Sequence, residues 1–237
     1  MRHFRIPAAL TAFVAVLSTA GVYGQSGQSQ PPPAPATPAA TTDHHAVPRD
    51  SWQRIPEIVS ALGITAGSVV ADIGAGEGYF STRFAAIVGA EGRVFAVDIN
   101  DSSIVRLQRR IERDGLTNIV AILGTPTDPK LPAGTLDAAF IINAYHEMTQ
   151  ARTMLAAIRT ALKPQGRLVI VEPISDAYRS RTRIDQEDRH EIAPAFVQQD
   201  AVEAGFVVSR LEDPFTKRPS GTPEYLLVLT PAARVVW

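Results

Sequence analysis

The fold is decided by one stretch, Val69-Val70-Ala71-Asp72-Ile73-Gly74-Ala75-Gly76-Glu77-Gly78-Tyr79. Its first five residues are nearly all apolar, which predicts a short strand buried on both faces of a sheet. Three glycines follow, and they let the backbone turn sharply and approach a ligand without Cβ atoms in the way. Helical spacing of apolar residues then predicts a helix from Tyr79 to Val88. The stretch therefore predicts a strand, a glycine-rich turn and a helix.

The same alternation of strand and helix continues on both sides of this stretch. Helices are predicted at 52–62, 102–113, 150–162 and 194–204, and strands at 94–97, 119–123, 138–142 and 168–171. Short apolar strands alternating with helices are typical of a parallel sheet with helices on both faces, and right-handed crossovers make it doubly wound. Two last strands, 206–208 and 225–229, have no helix between them. We therefore predict an α/β fold with a seven-stranded, mostly parallel, Rossmann-like sheet and an antiparallel C-terminal hairpin.

Composition excludes several classes of function. The chain has 237 residues, of which 45% are hydrophobic and 20% are charged, and it contains no cysteine. Disulfides, thiolate metal sites and cysteine nucleophiles are therefore excluded. The formal net charge is −1, so no basic field indicates a nucleic-acid partner. The oligomeric state does not follow from composition.

The N-terminal segment has the layout of an export signal. A basic start precedes an apolar run from Ile6 to Leu17, about 12 residues, which is short of the ~20 that a spanning helix needs. Residues 1–24 are predicted to be a signal peptide, so we expect a periplasmic or secreted protein without a stable membrane span after cleavage. An uncleaved anchor is the alternative. The Pro/Ala-rich residues 25–48 are predicted to be a disordered linker, and the folded domain is predicted at 49–237.

An acidic residue ends the second predicted strand. Asp98 follows Gly78 by 20 residues, a position from which a carboxylate can accept both hydroxyls of a ribose. The competing interpretation is that Asp98 caps the next helix, although Asp101 and Ser102 are better placed to do so. We therefore predict that Asp98 binds a ribose.

The glycine turn distinguishes between nucleoside ligands. A dinucleotide-binding turn needs its third glycine at position 79, which is Tyr79, and the carboxylate of Asp72 would repel a pyrophosphate. A carboxylate suits a ligand that carries an ammonium there. S-adenosylmethionine has an amino acid end, a ribose and a sulfonium, and no phosphate. An NAD(P)-dependent oxidoreductase remains the alternative.

With these motifs the chain resembles the class I S-adenosylmethionine-dependent methyltransferases, in particular small-molecule enzymes of the quinone-pathway type. Residues 70–79 resemble their first motif and 97–99 their acidic second motif, while 131–137 and 163–167 resemble later landmarks. The resemblance covers roughly 50 to 230. It implies S-adenosylmethionine as the cofactor and methyl transfer to a small-molecule acceptor.

The resemblance also implies roles for individual residues. It puts the glycine turn and Asp72 on the methionine end of the cofactor, Asp98 on the ribose, and Thr125 or Asp128 near the adenine. The last assignment departs from the family pattern, since many relatives have an acid directly after the glycine at position 124. The implied cofactor-binding residues are Asp72, Gly74, Ala75, Gly76, Gly78, Tyr79, Asp98, Ile99, Thr125, Asp128 and Asn143.

Three residues are predicted to be catalytic. His146, just past the fourth strand, is a candidate base, and Glu147 a group that orients it. His190 follows the fifth strand in a polar segment that, in quinone-pathway relatives, forms part of a lid. The competing interpretation is that His146 caps a helix and that Glu147 and His190 are solvated. The three together could bind a metal, but nothing in the sequence shows that they converge, so no metal is predicted.

The predicted function is therefore in-line methyl transfer from S-adenosylmethionine to a small-molecule acceptor. The predicted export signal motivates a second alternative besides the oxidoreductase. Because S-adenosylmethionine is made in the cytosol, the chain could instead be a non-catalytic nucleoside-binding protein on the same fold.

Overall fold

The computed structural model describes residues 49–233. The predicted signal peptide (1–24) and linker (25–48) lie outside the described residues, as do the last four residues of the predicted domain. In the described range no helix combines the length and the apolar character needed to cross a membrane.

The described chain alternates strands and helices as predicted. The strands are β1 (Val69–Ile73), β2 (Arg93–Asp98), β3 (Ile119–Leu123), β4 (Leu136–Ile142), β5 (Leu162–Pro173), β6 (Phe206–Lys217) and β7 (Pro223–Pro231). The α-helices are α1 (Ile55–Leu62), α2 (Tyr79–Val88), α3 (Asp101–Arg113), α4 (Ala151–Ala161), α5 (Arg183–Glu187) and α6 (Pro194–Glu203). Short 3₁₀ helices span Arg49–Ser51 and Tyr145–Glu147.

The seven strands form one sheet in the order β3-β2-β1-β4-β5-β7-β6. The first five pair in parallel, whereas β7 pairs antiparallel with both β5 and β6. The predicted seven-stranded, mostly parallel sheet with an antiparallel C-terminal hairpin is therefore confirmed. The strand order reverses between β1 and β4, and in such sheets ligands bind beyond the carboxyl ends of the strands at that point.

Each face of the sheet carries its own core. Alternate residues of β1 face opposite sides: Val70 packs with α1, α2 and α3, and Ala71 packs with α4 and α6. On the first side the rings of Phe84 and Phe140 stack with centroids 4.4 Å apart. Because both faces are covered, the central strands are buried, and this explains their nearly continuous apolar sequence.

The predicted bounds are wrong mainly for two strands, the edge strand β6 and the interior strand β5. The edge strand β6 runs to Lys217 rather than ending at residue 208, and it has irregularities between Val208 and Arg210 and between Glu212 and Thr216. Most of its side chains are at least partly exposed, so it has no apolar run to reveal its length. Strand β5 likewise begins six residues early, through pairing of Leu162 with Leu136.

The helix cap after β2 also differs from the prediction. The cap of α3 is Asn100, whose Oδ1 accepts a hydrogen bond from the Ser103 backbone N–H at 3.1 Å, and neither Asp101 nor Ser102 fills that place. Asn100 has extended backbone, as an N-cap requires, while Asp101 already belongs to the helix.

The glycine turn offers a matched pair of substitutions. Gly74 (φ +79°) and Gly76 (φ +55°) both have left-handed backbone, but a Cβ at Gly74 would lie 2.4 Å from the Ala144 Cβ, whereas a Cβ at Gly76 would meet nothing within 4 Å. We expect Gly76→Ala to lower the free energy of unfolding by about 1–2 kcal/mol through backbone strain. Gly74→Ala should lose about 1–3 kcal/mol more through overpacking. Urea denaturation of both variants measures the difference, and equal losses would contradict the close approach of the turn to Ala144.

Candidate functional site

A cavity of about 340 Å³ opens at the carboxyl ends of β1, β2 and β4, where the strand order reverses. Its size lies within the range typical of small-molecule sites. Six of the predicted site residues line it: Gly74, Gly76, Asp98, Ile99, Asn143 and Glu147. Nine further lining residues are not among the predicted site residues: Ile73, Val97, Asn100, Ser103, Pro126, Ala144, Met148, Thr149 and Met154.

Asp98 holds the glycine turn against the end of β2. Its Oδ2 accepts a hydrogen bond from the Gly76 N–H, and its Oδ1 accepts one from the Asn100 N–H, both at 2.8 Å. An ionised carboxylate has about four acceptor positions, so these two bonds leave capacity for a ligand. Asp98 is therefore both a support of the turn and a free acceptor at the cavity wall.

Asp72 lies beneath the turn and does not line the cavity. Its side chain is buried, and Oδ2 accepts a hydrogen bond from Ser81 Oγ at 2.6 Å. Burial raises the pKa of Asp72 to about 7, and the hydrogen bond from Ser81 offsets only part of this effect. The predicted contact of Asp72 with the methionine end of a cofactor stays a prediction.

The other residues predicted around the turn, Ala75, Gly78 and Tyr79, do not line the cavity. The Tyr79 hydroxyl donates a hydrogen bond to Asp50 Oδ1 at 2.6 Å, and the Arg83 guanidinium carbon lies 3.7 Å from the centre of the Tyr79 ring. Burial and the hydrogen bond to Asp50 raise the pKa of Tyr79 to about 12. Ala75 is buried in the core, and Gly78 precedes α2 close to Leu107. These residues shape the turn.

Thr125 and Asp128 form the turn after β3. The Thr125 N–H donates a hydrogen bond to the Asp128 carbonyl at 2.9 Å, and the Asp128 N–H donates one to Thr125 Oγ1 at 3.0 Å. Neither lines the cavity, but Pro126 between them does. Their predicted contact with an adenine is untested.

A buried carboxylate organises the segment after β4. Glu172, at the end of β5, is fully buried, and its Oε1 accepts hydrogen bonds from the Ala144 and Tyr145 N–H groups at 2.7 Å each. Its Oε2 lies 2.5 Å from His146 Nδ1. Burial alone would lower the pKa of His146, but the hydrogen bond to Glu172 and its charge outweigh burial, and the pKa is raised.

The three predicted catalytic residues meet beside the cavity. Glu147 Oε1 lies 3.7 Å from His146 Nε2 and 3.8 Å from His190 Nδ1. The two imidazole rings stand edge to face with centroids 5.4 Å apart. The convergence that the sequence does not reveal is therefore present in the structure.

His190 reaches this place because the segment after β5 folds back on itself. The side-chain amide of Gln186, which is fully buried, donates hydrogen bonds to the carbonyls of Tyr178, Arg179 and Arg181 and accepts one from the Ala193 N–H. One side chain thus closes the loop that carries His190.

Sequence reasoning missed two residues whose hydrogen bonds hold the site in place, Glu172 and Gln186. For Glu172 a signal was present, since it ends an apolar parallel strand in the same way as Asp98. Gln186 gave no such signal, because it stands in a polar segment between Ser180 and Glu191 and nothing local marks it as buried.

Asn143 also lines a second cavity of about 400 Å³, together with Arg49, Trp52 and Arg218 among others. Arg218 donates a hydrogen bond to Asn143 Oδ1, and its Nε pairs with the buried Glu224 at 2.7 Å. Asn143 has left-handed backbone (φ 58°). Asn143 therefore lines both cavities.

The central part of the chain is similar to methyltransferases. Residues 70–166 match the family model described as "Methyltransferase domain". The chain is 31% identical over 122 residues to a ubiquinone/menaquinone biosynthesis C-methyltransferase of Marinomonas sp. (strain MWYL1), which covers 51% of this chain and 48% of that protein. The chain spans about half the length of the curated relatives that it matches.

Solved structures share the fold. A SAM dependent methyltransferase from Aquifex aeolicus has a TM-score of 0.61 at 19% identity, covering 73% of this chain and 87% of that one. The [4+2]-cyclase SpnF has a TM-score of 0.62 at 14% identity, covering 76% and 80%. Because a cyclase shares the architecture, the fold alone does not fix the reaction.

Asp72 makes stability depend on pH. Its pKa is raised from 3.8 to about 7 on folding, so the folded state binds more protons between about pH 4 and 7, and this contribution to stability falls as pH rises through that range. We expect Asp72→Asn, which still accepts the Ser81 hydrogen bond, to gain stability relative to the unsubstituted protein, by about 2–4 kcal/mol at pH 8.

Urea denaturation at pH 4 to 8 measures the effect, and Asp101→Asn, at the exposed start of α3, is the control. The control difference should not follow the same curve. A pH-independent difference for Asp72→Asn would show that Asp72 is ionised throughout.

Proposed function

We propose that this protein transfers the methyl group of S-adenosylmethionine to a small-molecule acceptor. The observation that carries the proposal is the cavity where the strand order reverses. The glycine turn and Asp98 form its wall, and it lies within the segment that matches a methyltransferase domain. The relatives that are methyltransferases by name support the same reaction.

The backbone of the turn favours a ligand without phosphate. A pyrophosphate is normally bound by free N–H groups at the start of the following helix. Here most N–H groups of the turn are used within the protein, on the Val97 carbonyl, the Asp98 carboxylate and the Ala75 carbonyl. The donors are Gly74, Ala75, Gly76 and Gly78. This distribution supports S-adenosylmethionine over NAD(P).

The wall of the cavity offers partners for the rest of the cofactor. Asp98 has the acceptor capacity for the two ribose hydroxyls. Ile99 is 56% exposed although it is apolar, and it lines the cavity with Pro126, so the pair offers an apolar surface for the adenine ring.

The methyl transfer itself needs positioning more than covalent help. A lone pair of the acceptor forms the bond to the methyl carbon while the carbon–sulfur bond breaks, its electrons stay on sulfur, and S-adenosylhomocysteine leaves. A proton lost by the acceptor passes to a base or to water. Glu147 lines the cavity and His146 and His190 stand beside it, so these residues are the proposed acceptor-handling group.

The proposed cellular location rests on residues 1–24. Their basic start and short apolar run support export to the periplasm or outside the cell, with retention as an anchor as the alternative. Cell fractionation with N-terminal sequencing of the recovered protein distinguishes a cleaved, exported chain from a retained one.

Removing the Asp98 carboxylate tests the cofactor assignment. We expect Asp98→Ala to weaken binding of S-adenosylhomocysteine at least about 10-fold, because a charged hydrogen-bond acceptor and the support of the turn are both lost. Isothermal titration calorimetry measures the affinity, with Asp101→Ala as the carboxylate control. Tight NADH binding without S-adenosylhomocysteine binding would instead support an oxidoreductase.

Turnover separates an enzyme from a binding protein. A metabolite extract incubated with the protein and methyl-deuterated S-adenosylmethionine should yield at least one labelled product by mass spectrometry. The product should be absent with Asp98→Ala. Tight cofactor binding without any labelled product from diverse extracts would favour the non-catalytic alternative.

A further inference from the structure

The side chains of His146, Glu147 and His190 are of the types that bind metal ions, and they lie close together. The three side chains each present one ligand atom, and these atoms all lie within 4.8 Å of one another. Two imidazoles and one carboxylate suit Zn²⁺, Fe²⁺, Co²⁺ or Mn²⁺, whereas Mg²⁺ prefers oxygen ligands. We propose that this triad binds a divalent first-row transition-metal cation at the edge of the cavity.

The distances require only a small closure. With metal–ligand bonds of about 2.0–2.1 Å, neighbouring atoms of a tetrahedral site lie about 3.3 Å apart. Glu147 Oε1 is already 3.7 Å from His146 Nε2 and 3.8 Å from His190 Nδ1. The side chains of Glu147 and His190 are 66% and 73% exposed, so both are free to rotate towards a cation that arrives from solvent.

The third ligand is fixed in advance. His146 is buried, and its Nδ1 faces the fully buried Glu172 Oε2 at 2.5 Å, so Nδ1 carries the proton and the Nε2 lone pair points towards Glu147. Metal-binding histidines usually donate their other N–H to such a carboxylate, which fixes the ring and makes it a better ligand. This buried pair is an observation independent of the exposed ligands.

The backbone at His190 adds a further sign. Its φ of 55° lies in the left-handed region, which a residue with a side chain seldom adopts. The turn is held by the hydrogen bond from the His190 N–H to the Glu187 carbonyl at 2.9 Å. In this conformation the imidazole stands edge to face with that of His146. Such strain is often found where a side chain must be aimed.

The triad adjoins the cavity through Glu147, which lines it. Three protein ligands leave at least one coordination position, as in catalytic rather than structural sites. Glu147 belongs to the cavity wall together with Gly74 and Asp98. The next step rests on the proposed function. If the methyl acceptor is a phenol or a hydroxy acid, its oxygen would bind the cation, which would favour the deprotonated form of the acceptor. The metal site itself does not depend on methyl transfer.

Metal titration of the full chain tests the proposal. The chain has five histidines, and His44 and His45 are replaced by Ala so that they contribute no adventitious binding. Chelator-treated protein of this background should take up one Zn²⁺ per chain by elemental analysis. Titration with Co²⁺ should give the visible absorption of a low-coordinate nitrogen–oxygen site. Absence of stoichiometric uptake would overturn the proposal.

His190 and Glu147 are exposed, so substitutions of these two proposed ligands should not prevent folding. We expect His190→Ala and Glu147→Gln each to weaken Co²⁺ binding by about 100-fold or more. Loss of a residue that only hydrogen-bonds to a metal ligand already costs about 10- to 100-fold. Asp188→Asn, an exposed acid two residues before His190, is the matched control and should bind as the parent does. Equal affinity in His190→Ala, Glu147→Gln and Asp188→Asn would refute the site.

Glu172→Gln tests the positioning role separately. It should weaken Co²⁺ binding by about 10- to 100-fold while the absorption spectrum at saturation keeps its shape, because the three ligands remain. An unchanged affinity would contradict that role.

S-adenosylhomocysteine affinity should be unaffected by His190→Ala. Metal uptake without S-adenosylmethionine binding would leave the metal site standing and overturn the proposed function, and the reverse result would do the opposite.

Discussion

The candidate site depends on one buried carboxylate. Glu172 is fully buried and accepts hydrogen bonds from two backbone N–H groups of the segment after β4 and a third from His146. Burying a carboxylate costs free energy unless its oxygens accept hydrogen bonds, so loss of any of these three bonds is expected to destabilise this part of the fold. The end of β5 thereby fixes where the chain turns after β4, and with it the direction of the histidine that faces Glu147.

A second carboxylate, Asp98, fixes a turn at the opposite wall of the site in the same way. Asp98 accepts from the glycine turn after β1 and from the start of α3, so a carboxylate at the end of β2 fixes the turn of its neighbour. Both carboxylates therefore stand at carboxyl ends of parallel strands, where backbone N–H groups of the next connection come within reach. The cavity lies between these two turns, each of which is held by hydrogen bonds within the protein.

Much of the fold was predictable because burial on two faces leaves a strong pattern. The bounds of α2 and β3 agree with the prediction, since both are apolar segments ended by clear signals. The length of β6 was not predictable, because an edge strand with exposed side chains has no apolar pattern. At the site, Asp98 was identifiable by its spacing. Gln186 was not, because its burial results from a loop that closes around it.

The sequence by itself determined the order of strands and helices, the glycine turn and the acid that follows it, since these depend on local periodicity and on spacing within one βαβ unit. Only the tertiary structure decided that His146, Glu147 and His190 meet. His190 is more than 40 residues from the other two, and its position depends on the return of a polar loop over β5 and on hydrogen bonds of buried side chains. Contacts of that kind have no periodic signal, because they are selected by geometry across the sheet rather than along the chain.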